Sequence, residues 1–199
     1  MAESLLSYSL TRREFLGTIA AGCGALALGS TGCALQRSRT PKAHLLFYTD
    51  VHSIGERQAP KAMEEAVESI NSQGADLIIN GGDLIHRGFQ LSAPAAEKRW
   101  DIYMGMHKAI RGEIFSTLGN HDVVAIKPKD GSPPSEDPRA MFRERLGLER
   151  SYYSFDALGY HFVVLDSILI KAQEASYGGW IDPEQLEWLK EDLSKLPPS

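Results

Sequence analysis

Asp50, His52, Asp83, Asn120 and His121 stand in three short clusters, Asp50-Val51-His52, Gly82-Asp83 and Gly119-Asn120-His121-Asp122. Each cluster follows an apolar run: Leu45-Leu46-Phe47-Tyr48, Leu77-Ile78-Ile79 and Ile114-Phe115-Ser116-Thr117-Leu118. Runs of this length, rich in branched and aromatic residues, predict strands. In an open parallel sheet the C-terminal strand ends share one edge, and ligands bind there. Neighbouring strands would bring these side chains into one small volume. Carboxylate and amide oxygens together with imidazole nitrogens suit zinc or another divalent transition metal.

The elements that must position these clusters are legible in the spacing. Strands are predicted at 43–49, 76–80 and 113–118, with helices between them at 59–73 and 93–111. The first helix carries Met63, Ala66, Val67 and Ile70 at helical spacing; the second carries Trp100, Tyr103, Met104, His107 and Ile110. Alternation of strand and helix implies a parallel sheet with right-handed crossovers. A Pro-rich loop at 127–138 follows the third cluster, and a short helix is predicted at 138–146. Two strand-like runs at 151–155 and 160–165 predict an antiparallel hairpin. A last helix opens at Asp182-Pro183-Glu184-Gln185, with Asp182 as N-cap and Gln185 at the capping-box position. Leu186, Leu189, Leu193 and Leu196 form its apolar stripe.

On extended chain, residues two apart point to one side, so Asp50 and His52 would offer an oxygen and a nitrogen to one ion. Asp83 follows a Gly-Gly turn whose backbone permits close approach. Asn120 adds a neutral carbonyl oxygen. His44, His86, His107 and His161 read as packed or surface residues, His86 being nearest the clusters in sequence.

The order D-x-H, G-D, G-N-H-D, each at a strand end, resembles the calcineurin-like metallophosphoesterases. The resemblance covers about 43–196. It implies an α/β fold, an α/β/β/α sandwich with a central mixed sheet. It implies two divalent metal ions (Mn, Fe or Zn) held by Asp50, His52, Asp83 and Asn120, with Asp83 bridging. The implied activity is hydrolysis of a phosphate mono- or diester, a small-molecule substrate, by attack of a metal-bridging hydroxide. His121 would act as general acid beside the substrate, Asp122 would orient its ring, and Arg87 would clamp a phosphate oxygen. His86 stands where protein-phosphatase members carry Asp. His52, and the lack of a tyrosine near Asp83, depart from the purple acid phosphatase branch. The family's later motifs, a lone His and a G-H-x-H, have no counterpart, since the sequence contains no Gly-His pair. The chain therefore reads as the N-terminal portion of such a domain, incomplete at its C-terminus. The alternative is a non-catalytic phosphate- or metal-binding module.

The 199 residues, 43% hydrophobic and 24% charged, suffice for one domain with a core. A net charge of -5 argues against binding a nucleic-acid backbone. The N-terminus divides from the rest in composition. Thr11-Arg12-Arg13-Glu14-Phe15-Leu16 resembles a twin-arginine export signal, a route that carries folded cargo, and an uncharged Ala/Gly-rich stretch follows to Leu28. Residues 1–34 are thus expected to be a signal segment, 35–42 a linker and 43–199 the phosphoesterase part. Both cysteines, Cys23 and Cys33, lie in the signal, which leaves the remainder without a disulfide or thiolate site. Small residues around Cys33 suit a signal peptidase. Thr31-Gly32-Cys33 also resembles the end of a lipobox, with Ser30 where that pattern prefers Leu. The expected location is periplasmic or otherwise extracytoplasmic, free or anchored by a lipid on Cys33.

Overall fold

Branched and aromatic residues build β1 (Leu45–Tyr48), β2 (Leu77–Asn80) and β3 (Ile114–Ser116), which pair in parallel in the order β1-β2-β3. The register sets Leu45 opposite Leu77 and Ile78 opposite Ile114. This is a computed structural model describing residues 43–55, 59–174 and 176–197, within the unit Pro41–Ser199. The expected signal segment, Cys23, Cys33 and the whole linker lie outside the described residues.

Helix α1 (Ala59–Gln73) connects β1 to β2, and α2 (Ala93–Ala109) connects β2 to β3. Their apolar stripes explain their placement. Ile70 of α1 joins Ile78, Met106 and Ile110 in one buried cluster, with Met63, Ala66 and Val67 against it. The other side of α2 buries Ala96, Trp100 and Tyr103 with Leu84, Ile85, Val123 and Phe142 in the larger core. Phe142 belongs to α3 (Ala140–Leu146) and meets Trp100 edge to face at 6.3 Å.

The α/β class holds, and the parallel strands stand where the apolar runs put them. Among the described residues the antiparallel strands pair as two hairpins. β4 (Tyr153–Ala157) pairs with β5 (Tyr160–Val164), and β6 (Ile168–Lys171) pairs with β7 (Ser176–Gly179). Tyr153 ties the first hairpin to β3. Its hydroxyl accepts from the Ser116 N–H and donates to the Ser116 carbonyl, both at 2.9 Å. Burial pushes the Tyr153 hydroxyl up to about 12. Phe115 then stacks on Phe155, and Phe155 on Phe162, with interplanar angles of 6° in both pairs.

Helix α4 (Pro183–Ser194) starts as expected: the Asp182 carboxylate accepts the Gln185 N–H at 2.8 Å. The other half of the capping box does not form. The Gln185 side chain is buried and brackets Asp166, accepting its N–H at 2.8 Å and donating to its carbonyl at 2.9 Å. The Asp166 carboxylate accepts from Ser151 and from Arg139 at the start of α3. The leucine stripe of α4 is mostly exposed at Leu186, Leu193 and Leu196.

His161 ties α4 to the first hairpin. Its two ring nitrogens each lie 2.8 Å from a carboxylate, Asp156 and Asp192. Both contacts are best made by the doubly protonated ring, and Asp192, then Asp156, hold its pKa above the ordinary value. A raised value stabilises the fold fully below about pH 6.5, the ordinary imidazole value, and the contribution fades as pH rises through the folded value. Urea denaturation should show wild type losing its advantage over His161→Gln as pH rises above about 6.5. A gap that stays constant across that range would exclude the ion pair as its source.

Candidate metal centre

Beyond the strand ends the backbone goes on pairing, and this assembles the site. The Asp50 N–H donates to the Gly82 carbonyl at 3.1 Å, His52 N–H to Asp83 at 2.9 Å and Ser53 N–H to Leu84 at 3.0 Å. The loop after β1 therefore runs beside the loop after β2. It does not do so as extended chain. Asp50 (φ 59°), His52 (φ 46°) and Asp83 (φ 56°) all adopt the left-handed conformation. The extended geometry expected for Asp50 and His52 fails because β1 ends at Tyr48. The two side chains still converge, because Asp and His tolerate left-handed backbone better than most residues.

His52 Nε2 lies 3.3 Å from Asp50 Oδ1 and 3.8 Å from Asp83 Oδ2. One ligand atom from each of Asp50, His52 and Asp83 falls within 4.8 Å of the others. Two carboxylates and an imidazole at that spacing fit a divalent transition metal. Nδ1 of His52 is buried with no hydrogen-bond partner among the described residues, as is Nδ1 of His86. Buried polar atoms left open in this way are costly unless something else satisfies them. The donor set of Asp50, His52 and Asp83 fits a metal ion.

The third cluster arrives across a glycine contact. A Cβ on Gly119 would sit 2.1 Å from Asp83 Oδ1, so only glycine lets the two loops meet. His121 N–H then donates to Asp83 Oδ1 at 3.0 Å. The His121 ring accepts the Arg87 backbone N–H at Nδ1, 2.9 Å away, which leaves its ring proton on Nε2. Burial first, with the charges of His52 and Arg87, lowers the His121 pKa, against the pull of Asp83 and Asp50.

Asp122 was expected to orient the His121 ring, and the structure gives it other partners. Its carboxylate is fully buried. Oδ1 accepts the N–H groups of Leu84 (2.7 Å) and Ile85 (3.1 Å), and Oδ2 accepts that of Gly119 (2.9 Å). It fastens the loop after β3 to the loop after β2, and burial pushes its carboxyl up to about 7. Orientation of the His121 ring falls instead to the Arg87 backbone.

Arg87, Asn120 and His121 line one cavity. Asn120 thus joins the site by its neighbours. His86, read as an ordinary packed or surface residue, belongs to the site as well. Its ring centroid lies 5.4 Å from that of His52 and 5.2 Å from that of His121. The signal for it was its place three residues after Asp83. Burial, with the charges of His121, Arg87, His52 and Arg99, keeps its pKa low. His44, His107 and His161 lie elsewhere, His44 at the start of β1 and His107 on α2.

Comparison with known proteins bears on the fold and the family. Over 103 residues, half of this chain, the sequence is 29% identical to purple acid phosphatase 15 of Arabidopsis thaliana. Among solved structures, a dimetal phosphatase from Danio rerio superposes with a TM-score of 0.53 at 15% identity, covering 76% of this chain. The chain spans 18% of the length of the plant protein and 65% of the Danio rerio one. The family description "calcineurin-like phosphoesterase" matches residues 43–198, which takes in every strand and helix described above. This chain belongs to the calcineurin-like phosphoesterase family.

Proposed function

We propose that this chain is a metal-dependent phosphoesterase acting on small phosphate mono- or diesters. The observation that carries the reading is the convergence of Asp50, His52 and Asp83 beside a cavity lined by Arg87, Asn120 and His121. Asp50, His52, Asp83 and Asn120 are the residues that would hold the divalent ions, and Mn, Fe and Zn all suit such donors. Bound there, two metals would neutralise phosphoryl oxygens and make water a nucleophile near neutral pH.

The chain's own groups complete the chemistry. Arg87, which lines that cavity, would clamp a phosphoryl oxygen through its guanidinium. His121 holds its ring proton at Nε2. A second proton on Nδ1 would oppose the Arg87 N–H, so His121 serves best as a neutral hydrogen-bond donor toward the leaving oxygen. That revises the role of general acid that the family pattern implies.

The test is the metal-to-protein ratio of the purified chain together with hydrolysis of p-nitrophenyl phosphate and bis(p-nitrophenyl) phosphate. Metal uptake with turnover that EDTA stops supports the reading. Metal uptake without turnover would make the chain a binding module, and no uptake at all would sink both.

The reading extends to export through the twin-arginine machinery, supported by Arg12-Arg13 and the uncharged stretch after them. Cell fractionation should find wild type outside the cytoplasm and the Arg12→Lys/Arg13→Lys pair retained inside. Equal export of both would overturn it. Labelling with a radioactive fatty acid, lost in Cys33→Ser, would separate lipid anchoring from simple cleavage.

A further inference from the structure

The loop after the third cluster is held against the site by its backbone. Ala125 N–H donates to the Gly88 carbonyl at 3.0 Å, Ile126 and Lys127 N–H to Phe89 at 3.1 and 3.0 Å, and Lys129 N–H to Gln90 at 3.0 Å. Residues 125–129 thus run as a strap along the short 3-10 turn Gly88–Gln90. The strap fixes where Lys129 stands: in the cavity of about 350 Å³ that also holds Arg87, Asn120 and His121. Phe89 and Tyr177 wall the cavity, their rings nearly edge to face at 6.4 Å.

The charges here are arranged for an anion. Neither Arg87 nor Lys129 takes part in any ion pair among the described residues. Lys127 lines an adjoining hollow with Lys129. Asp130 is the acid nearest in the chain, and Ser132 N–H at 3.0 Å and the Ser92 hydroxyl engage its carboxylate. On a chain of net charge -5, unpaired cations gathered in one hollow mark a local field of opposite sign. A hollow of this size takes one anionic group and part of the body that carries it.

We propose that this cavity is a second-anion subsite, so that the centre prefers phosphoesters whose leaving group bears a further phosphate or carboxylate. The proposal rests on the phosphoesterase reading, because His121 sets the leaving-group side. Arg87 faces the phosphoryl group under attack, and Lys129 receives the second anion. The aromatic wall shelters the body between them.

Phosphonoacetate and methylphosphonate differ in one carboxylate and neither is hydrolysed. Titration calorimetry on the full, manganese-loaded chain should show phosphonoacetate binding about tenfold more tightly, as one charge-assisted contact warrants. Lys129→Gln should abolish that preference and leave methylphosphonate affinity unchanged. Lys98→Gln, an exposed lysine on α2, should leave the preference intact. A preference that survives Lys129→Gln, or none in wild type, overturns the subsite while leaving the phosphoesterase reading standing. Failure of both phosphonates to bind overturns the two together.

Discussion

Asp83→Asn is expected to lower affinity for divalent metal by at least about a hundredfold and to abolish metal-dependent hydrolysis, with little change in stability. The substitution is matched to its position. Asparagine shares the size of aspartate and tolerates the left-handed backbone that Asp83 adopts at φ 56°. Its amide oxygen can still accept the His121 N–H, now 3.0 Å from Oδ1. What it removes is the negative charge facing His52 and one anionic oxygen. An alanine there would mix this loss with backbone strain. Metal content after dialysis and the urea midpoint separate the two effects. Retained metal in Asp83→Asn would refute the assignment of Asp83. A large drop in the urea midpoint would show that the carboxylate is needed for the fold instead.

The second large effect is on stability. Asp122→Ala should cost about 4 kcal/mol, out of roughly 5–15 for a domain, because it strips the acceptor from three N–H groups at a fully buried position. Leu84, Ile85 and Gly119 would be left without it. Asp122→Asn should cost about half as much, since one oxygen stays to serve Leu84 and Ile85 while an amide N–H₂ confronts Gly119. The measurement is the urea midpoint of each variant at constant slope. Equal midpoints for wild type and both variants would mean that the carboxylate does not fasten the two loops.

The strand ends were legible because an apolar run followed by Asp, His and Asn is a strong local pattern. The helices were legible for the same reason, and the Asp182 cap formed as read. What escaped depended on partners far away in sequence. Asp122 in a Gly-Asn-His-Asp cluster looks like a partner for the adjacent histidine, and only the fold shows that its oxygens face residues 84 and 85. The pairing of β6 with β7 gave no signal either. Ser176-Tyr177-Gly178-Gly179 lacks strand propensity, and the pairing brings Tyr177 opposite Ile170, with its ring near Phe89. The period-two argument at Asp50 and His52 reached the right neighbourhood through the wrong backbone, because the strand stops at Tyr48, short of both residues.

The bonds that draw the clusters together all cross long stretches of chain. Leu84 to Asp122 spans 38 residues, His121 to Asp83 spans 38 and Arg87 to His121 spans 34. Loops of that length close at an entropic cost that local contacts do not share, and non-local contacts are consolidated slowly. The unfolded chain therefore holds no cage for an ion, and capture waits for the final docking of the loops. Metal then favours the folded state by mass action alone. If the chain is exported folded, as proposed, the compartment in which it folds would choose its metal.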